Sequence, residues 1–317
     1  MVSVLMITRN HGLYIAQAIE SVLEQHFDGG LELLVGEDGS TDNTGLICTQ
    51  YAERYPKSLR VLRSPEGPMG MHANFLRLFE QARGKYLAFL EGDDYWTDQQ
   101  KLRNQVQWLE QDSNLSLCGT RTAVIEQSAD GVWQVVREVR PPHRQLRYRF
   151  EEMIPHYNFH FSSVLVRRSA LELPPWVAEQ YCIDRPLYLL ATRNGDAAFI
   201  DRVTSVYRQH KGGVWSESNL SYKAQSSRTL FHAFMSNFPA EYRPAFQRAL
   251  SGILWYYLSM ARQSRERLAG REIFRLSLAS APVHRLISSP VRVVSMAVWL
   301  WVPWLDGLLR RLLGKST

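Results

Sequence analysis

The stretch Tyr86-Leu87-Ala88-Phe89-Leu90-Glu91-Gly92-Asp93-Asp94-Tyr95-Trp96 runs an unbroken apolar segment straight into three carboxylates. A continuous apolar run of this length suits a strand buried on both faces. A polar turn directly behind it lies where a parallel sheet binds its ligands, at the carboxyl ends of its strands. The same grammar recurs upstream. Val2–Ile7 leads into Thr8-Arg9-Asn10, Leu31–Val35 leads into Gly36-Glu37-Asp38-Gly39-Ser40-Thr41-Asp42, and Leu59–Leu62 supplies a further short apolar run.

Helical spacing fills the intervals. Ile15, Ile19 and Val22 recur on one face; Ser40 or Thr41 is placed to cap a helix from Asp42 to about Tyr55; Met71–Ala82 reads as a helix ended by Gly84. This β-α-β-α rhythm predicts an α/β fold, Rossmann-like, with a mostly parallel sheet covered on both faces. Downstream, Leu102–Leu109 and Leu187–Thr192 read as helices, and Leu115–Ile125, Val132–Val139, Phe161–Val166 and Phe199–Tyr207 as strands. From about Asn219 the pattern turns helical, over Phe231–Phe238, Ala245–Met260 and Phe274–Leu278. The expected organisation is a nucleotide-binding α/β domain over 1–215, a helical C-terminal extension over 216–290 and an apolar, basic tail over 291–317.

Composition bounds the class. The chain has 317 residues, 45% apolar and 21% charged, as expected of a folded globular protein rather than a disordered one. A net charge of +6 favours phosphate-bearing partners. Arginines crowd 137–149 and again 262–275, yet no nucleic-acid-binding signature accompanies them, so nucleic acid is not an expected partner. Cys48, Cys118 and Cys182 are too few and too scattered for a disulfide framework or a structural zinc site, which suits a reducing cytoplasm. Val2–Ile7 is too short for the apolar core of a signal peptide.

The tail differs in kind. Val291–Leu313 holds Trp299, Trp301 and Trp304 among aliphatic residues, broken by Arg292, Pro303 and Asp306 and followed by Arg310, Arg311 and Lys315. It is too interrupted for a spanning helix but has the pattern of one lying in a membrane interface. The expectation is peripheral contact with the inner face of the cell membrane. The alternative is a helix docked on its own chain or on a second protomer in a homodimer.

Three constellations carry chemistry. Glu91, Asp93 and Asp94 crowd a strand end, where they raise one another's pKa unless a cation neutralises them. Hard oxygen ligands there suit Mg²⁺ or Mn²⁺ shared with a substrate diphosphate. Asp38 is placed to accept hydrogen bonds from a base or ribose, whereas Asp42 suits a helix start. Thr8, Arg9 and Asn10 offer a hydroxyl, a guanidinium and an amide to a nucleotide. Each has a blander reading as an ordinary strand-turn-helix junction. The chain lacks GxGxxG after its first strand and GxxxxGK[ST] anywhere, which excludes a dinucleotide dehydrogenase and a P-loop NTPase.

Taken together, Val4-Leu5-Met6-Ile7-Thr8-Arg9-Asn10, Glu37-Asp38-Gly39-Ser40-Thr41-Asp42 and Glu91-Gly92-Asp93-Asp94-Tyr95-Trp96 resemble the family 2 glycosyltransferases of the GT-A fold. The likeness continues through Phe161-Ser162-Ser163-Val164, Asp184-Arg185-Pro186-Leu187 and Tyr207-Arg208-Gln209-His210-Lys211-Gly212-Gly213-Val214-Trp215, so it covers roughly the first 215 residues. It implies an inverting, metal-dependent transfer from a nucleoside-diphosphate sugar, UDP-sugars favoured, to a saccharide or lipid-linked acceptor. Bacterial surface polysaccharide or glycolipid synthesis is the implied setting. Asp93 would be the main metal ligand with His210 beside it. Thr8, Arg9, Asn10, Asp38, Glu91 and Asp94 would bind the donor, Arg208 or Lys211 would add positive charge, and Asp184 would be the general base. The chain departs from the family pattern at Glu91, where Asp is usual, at Ile183, where many relatives carry Glu or Gly, and at Arg185, where an aromatic is frequent. The rival readings are a catalytically inactive relative serving in binding or assembly, and a sugar-phosphate nucleotidyltransferase, which would want a more glycine-rich loop after the first strand.

Overall fold

Val2–Thr8 forms β1, every residue of it buried, because apolar side chains can leave both faces of the strand only if helices cover both sides. The computed structural model describes residues 1–64, 67–143, 145–156, 158–210, 212–213, 218–280 and 290–301. The chain divides into two compact units, Met1–Ser216 and Glu217–Thr317.

In the first unit, α1 (Ile15–Leu23), β2 (Leu31–Glu37), α2 (Thr44–Arg54), β3 (Leu59–Arg63), α3 (Met71–Gln81) and β4 (Tyr86–Glu91) follow β1. Then come β5 (Tyr95–Trp96), α4 (Lys101–Gln111), β6 (Leu115–Gln127), β7 (Trp133–Val139), β8 (Arg147–Tyr148), α5 (Phe150–Met153), β9 (Leu165–Arg167), α6 (Asp184–Thr192) and β10 (Asp196–Gln209). The strand order is β3-β2-β1-β4-β9-β6-β10-β5, with β7 on β6 and β8 on β10. β1 pairs in parallel with both β2 and β4, β2 with β3 and β6 with β10, while β5, β7, β8 and β9 run antiparallel to their partners. The sheet is thus the mostly parallel α/β sheet expected. After β3 the chain returns to the other side of β1, so the ends of β1 and β4 flank a topological switch point, where open α/β sheets bind ligands.

Three boundaries differ from the sequence reading for identifiable reasons. Asp42 does not open its helix. Its Oδ1 accepts from the backbone N–H of Thr44 at 3.0 Å, which holds the chain in a turn and delays α2 to Thr44. The expected strand Phe161–Val166 is a 3₁₀ turn over Phe161–Ser163 followed by β9. There the His160 ring accepts from Ser162 N at 3.3 Å and the Ser163 hydroxyl donates to His160 O at 2.8 Å, local bonds that compete with a strand ladder. The two-residue strands β5 and β8 carry too short a pattern to be read in advance.

One buried cation lies beneath the sheet. Lys101 is fully buried, donates to Gln105 Oε1 at 2.6 Å and sits 4.6 Å from the centre of the Trp96 ring. Burial lowers its pKa from 10.5 to about 7. The native state therefore holds fewer protons than the unfolded chain between those values, and stability rises with pH across that window. Below pH 7 the whole penalty is present, on the order of a few kcal/mol. Lys101→Met is expected to raise stability at neutral pH and to flatten the rise between pH 7 and 10 in chemical denaturation. An unchanged slope would mean that the ammonium stays charged in the fold.

The second unit is helical: α7 (Leu220–Asn237), α8 (Arg243–Gln263), α9 (Arg267–Ser280) and α10 (Pro290–Trp301). Phe231, Phe234, Phe238 and Phe246 stack in its centre, with ring centroids 5.4 to 6.3 Å apart. α10 docks on α8 and α9. Trp299 is 4% and Leu300 0% exposed, and Arg271 donates to Leu300 O at 3.1 and 3.0 Å. Gly270 makes this possible, since a Cβ there would come within 2.8 Å of both Trp299 and Leu300. Trp299 thus finds its apolar partner within its own unit, while Trp301 remains 43% exposed. Trp304, Arg310, Arg311 and Lys315 lie outside the described residues. Among those described, no helix is long and apolar enough to cross a membrane.

Candidate active site

The loops after β1 and β4 meet at Gly92. A Cβ there would come within 2.3 Å of Thr8 Oγ1 and 3.0 Å of His11 Nδ1, so only glycine lets the two strand ends close together. Thr8 Oγ1 lies 3.2 Å from His11 Nδ1. Gly92 thus serves the approach of one loop to the other.

This closure brings imidazoles onto the carboxylates. Asp93 Oδ2 lies 3.1 Å from His210 Nε2 and 3.6 Å from His11 Nε2. Burial pushes the Asp93 carboxyl up, but the His210 hydrogen bond and the two neighbouring imidazoles outweigh it and hold its pKa below the ordinary value. Glu91 and Asp94 behave oppositely. Burial, then the charges of Asp93 and Asp184, push Glu91 to about 8, and burial with the Asp93 and Glu91 charges pushes Asp94 well up. Asp94 is 0% exposed; its Oδ1 accepts from Arg208 N at 3.0 Å, but its Oδ2 has no hydrogen-bond partner. That orphaned oxygen faces His160 Nδ1 at 3.8 Å, and ligand atoms of Glu91, Asp94 and His160 all lie within 4.8 Å of one another. Burial first of all lowers the His160 pKa to about 3, so its ring is neutral and able to donate a lone pair.

Asp184 opens α6, and its Oδ1 accepts from Arg185 N at 2.7 Å. It is near enough to Glu91 to raise that group's pKa, so α6 brings it to the β4 cluster. Arg208 is held within the site. Its guanidinium donates to Asp93 O and to Gln17 Oε1, and lies 5.1 Å from the Tyr14 ring centre and 4.4 Å from that of Tyr95. Lys211 and 214–215 lie outside the described residues.

Two expected donor contacts, Asp38 and Asn10, have other partners here. Asp38 is buried, and its two oxygens accept from Met69 N at 2.7 Å and Gly70 N at 3.0 Å, fixing the loop before α3. Each oxygen keeps a second lone pair for a ligand. Asn10 has φ +56°, a left-handed conformation that Asn tolerates. Its N–H donates to Ser40 Oγ at 3.0 Å and its Oδ1 accepts from Thr41 N at 2.8 Å, so it braces the β1 loop against the β2 loop. Arg9 is exposed. Thr8, Glu91, Asp93, Asp94, Asp184, Arg208 and His210 do come together. His11, His160 and Tyr207 join them without having been singled out. His11 follows directly on Thr8-Arg9-Asn10 and His160 directly precedes Phe161-Ser162-Ser163, so both lay one position outside segments already conspicuous.

Residues 3–173 match the family Glycosyl transferase family 2, and the chain belongs to it. Among curated relatives, Uncharacterized protein Rv1520 of Mycobacterium tuberculosis is 33% identical over 216 residues, 67% of this chain and 60% of that protein. The match thus spans only about 60% of the length of such mycobacterial relatives. The dTDP-rhamnosyl transferase RfbG of Shigella flexneri is 28% identical over 70% of this chain and 77% of its own. Two solved structures share the fold. Staphylococcus aureus TarS 1-349, in complex with UDP-GlcNAc, aligns at TM-score 0.65 and 16% identity over 89% of this chain and 81% of its own. The mannosyltransferase PcManGT of Pyrobaculum calidifontis, in complex with GDP-Man and Mn²⁺, aligns at 0.61 and 17% over 99% and 88%. The fold is accordingly that of the GT-A glycosyltransferases.

Proposed function

We propose that this chain is an inverting, metal-dependent glycosyltransferase that moves a sugar from a nucleoside-diphosphate sugar to an acceptor hydroxyl. The observation that carries the reading is the meeting of Asp93, His210 and the Glu91–Asp94 pair at the switch point, with Asp184 beside them. Neighbours of the same fold bind UDP-GlcNAc or GDP-Man, the latter with Mn²⁺, and supporting relatives include a dTDP-rhamnosyl transferase.

Asp93 and His210 would hold the ion, with His11 adjacent. A carboxylate flanked by imidazole nitrogens favours Mn²⁺ over the oxygen-seeking Mg²⁺. These side chains keep some exposure, 15% for Asp93 and 10% for His210, which leaves room for diphosphate oxygens. The Glu91–Asp94–His160 group is the more enclosed, and His160 Nδ1 is already 2.8 Å from Ser162 Oγ. When bound, the ion neutralises charge on the leaving diphosphate. Asp184 removes the proton from the acceptor hydroxyl as that oxygen attacks the anomeric carbon and the bond to the diphosphate breaks. Arg208 keeps the Asp93 loop in place and adds positive charge nearby.

A thermal-shift series of UDP-, GDP- and dTDP-sugars with and without Mn²⁺ tests this. Stabilisation by one donor only in the presence of the ion is expected, with slow donor hydrolysis. Binding with no hydrolysis or transfer would instead favour the inactive binding protein. As part of the same reading, residues 302–317, which carry Trp304, Arg310, Arg311 and Lys315, supply peripheral contact with an anionic inner membrane face. In vesicle flotation the full chain is expected to float and a chain ending at Trp301 to stay behind; equal behaviour of the two rejects that contact.

A further inference from the structure

The turn that follows β1 carries two rings to the site. His11 Nε2 lies 3.6 Å from Asp93 Oδ2, and Tyr14, three positions on, packs against the His210 ring with centroids 4.8 Å apart. Backbone bonds hold this turn. Tyr14 N donates to His11 O at 2.8 Å, while His11 N and Gly12 N donate to Thr44 Oγ1 at 2.8 Å and Asp42 Oδ2 at 2.9 Å. The turn is thus anchored to the β2–α2 junction before α1 begins.

The Tyr14 ring meets two side chains that reach Asp93. His210 approaches the Asp93 carboxylate at 3.1 Å, and Arg208, which donates to the Asp93 carbonyl, has its guanidinium 5.1 Å from the Tyr14 ring centre. His210 stands just past Gln209, the last residue of β10, so strand pairing does not set the direction of its ring. Tyr14 is itself met by Trp133, with centroids 6.4 Å apart and ring planes at 78°. Trp133 opens β7 opposite Gln127 and packs, with Tyr95, against Ala123, Ile125 and Val206. A side chain seated in close packing transmits its position to whatever it touches.

We infer that Tyr14, braced by Trp133, is a positioning residue of the metal site: its ring aims the His210 imidazole at the ion. The inference rests on the proposed reading in which Asp93 and His210 hold that ion. An imidazole free to turn loses rotamer freedom when it ligates, whereas one already held by a neighbouring ring has less to lose. Groups that orient a ligating imidazole matter to metal affinity without touching the metal. The contacts of Tyr14 with His210, Arg208 and Trp133 are all made through its ring, so phenylalanine keeps them. Leucine keeps an apolar side chain but offers no flat face.

The test titrates Mn²⁺ into the full chain in the presence of UDP and records pulsed EPR of the bound ion, in which ligating nitrogen modulates the echo. Tyr14→Leu is expected to weaken Mn²⁺ binding by roughly 10- to 100-fold, the usual effect of losing a partner that orients a metal-bound imidazole, and to reduce the nitrogen modulation. Tyr14→Phe should match the parent in both. In a His210→Ala background Tyr14→Leu should cost far less, because two residues that act through one group are not additive. Parental Mn²⁺ affinity and nitrogen modulation in Tyr14→Leu, or full additivity with His210→Ala, overturns the inference. Should Tyr14→Leu not fold, Trp133→Ala carries the test: a partial loss of both signals supports the inference and parental behaviour overturns it. Failure of the parent itself to bind Mn²⁺ would instead overturn the metal-dependent reading.

Discussion

Asp93→Ala is expected to lose donor binding that depends on Mn²⁺ while leaving the fold intact. Asp93 is the carboxylate of the cluster whose pKa is held down, and its Oδ2 is the atom both imidazoles approach, at 3.1 and 3.6 Å. Truncation leaves His11 and His210 without the anion between them. A metal clamp on phosphoryl oxygens is worth several kcal/mol, so affinity for UDP with Mn²⁺ should fall by roughly 100-fold or more. Calorimetry with and without the ion measures this directly. UDP affinity that is high and independent of Mn²⁺ in the parent, or unchanged in the variant, would move the metal to the Glu91–Asp94–His160 group or remove it from the mechanism. His210→Ala should produce a smaller loss in the same assay, since His11 remains.

Most of the first unit was legible because its signals are local. β1, β2 and β4 are apolar runs ended by polar turns, and a parallel sheet with its ligand edge at those turns is the arrangement that buries such runs. The crowding of Glu91, Asp93 and Asp94 was legible for the same reason: it is visible in four consecutive residues. What escaped notice depends on contacts distant in sequence. Asp42 and Asn10 look like a cap and a nucleotide contact, yet they brace the β1 and β2 loops together across about 30 positions. The role of Gly92 is set by Thr8 and His11, more than 80 residues away. The docking of Trp299 on Gly270 needs three helices in place before a membrane-like pattern is seen to have a protein partner. His160 is ordinary in sequence and becomes notable only beside the orphaned Asp94 Oδ2.

Asp184→Asn is expected to separate binding from chemistry. Asp184 Oδ1 accepts from Arg185 N at 2.7 Å, and the amide oxygen of Asn can keep that bond, so the start of α6 should be undisturbed. What Asn cannot do is take a proton. A positioned general base typically contributes about 10²–10⁴-fold, so kcat and kcat/KM for transfer should fall together by that factor while the affinity for UDP with Mn²⁺ stays at the parent value. Two other carboxylates lie near Asp184 in the sequence, Glu179 and Asp196, and both are poorly placed to compensate. Asp196 begins β10, at the far end of the strand from Arg208, and is paired with Arg147 at 2.5 Å; Glu179 is exposed at the end of a 3₁₀ turn. Rapid-quench transfer measurements on donor-saturated enzyme, alongside calorimetry of UDP, give both numbers from one preparation. Near-parental turnover by the Asn variant would take the proton-abstracting role away from Asp184. A matching loss of UDP affinity would make the residue part of the donor site, joined to the metal cluster through its neighbour Glu91.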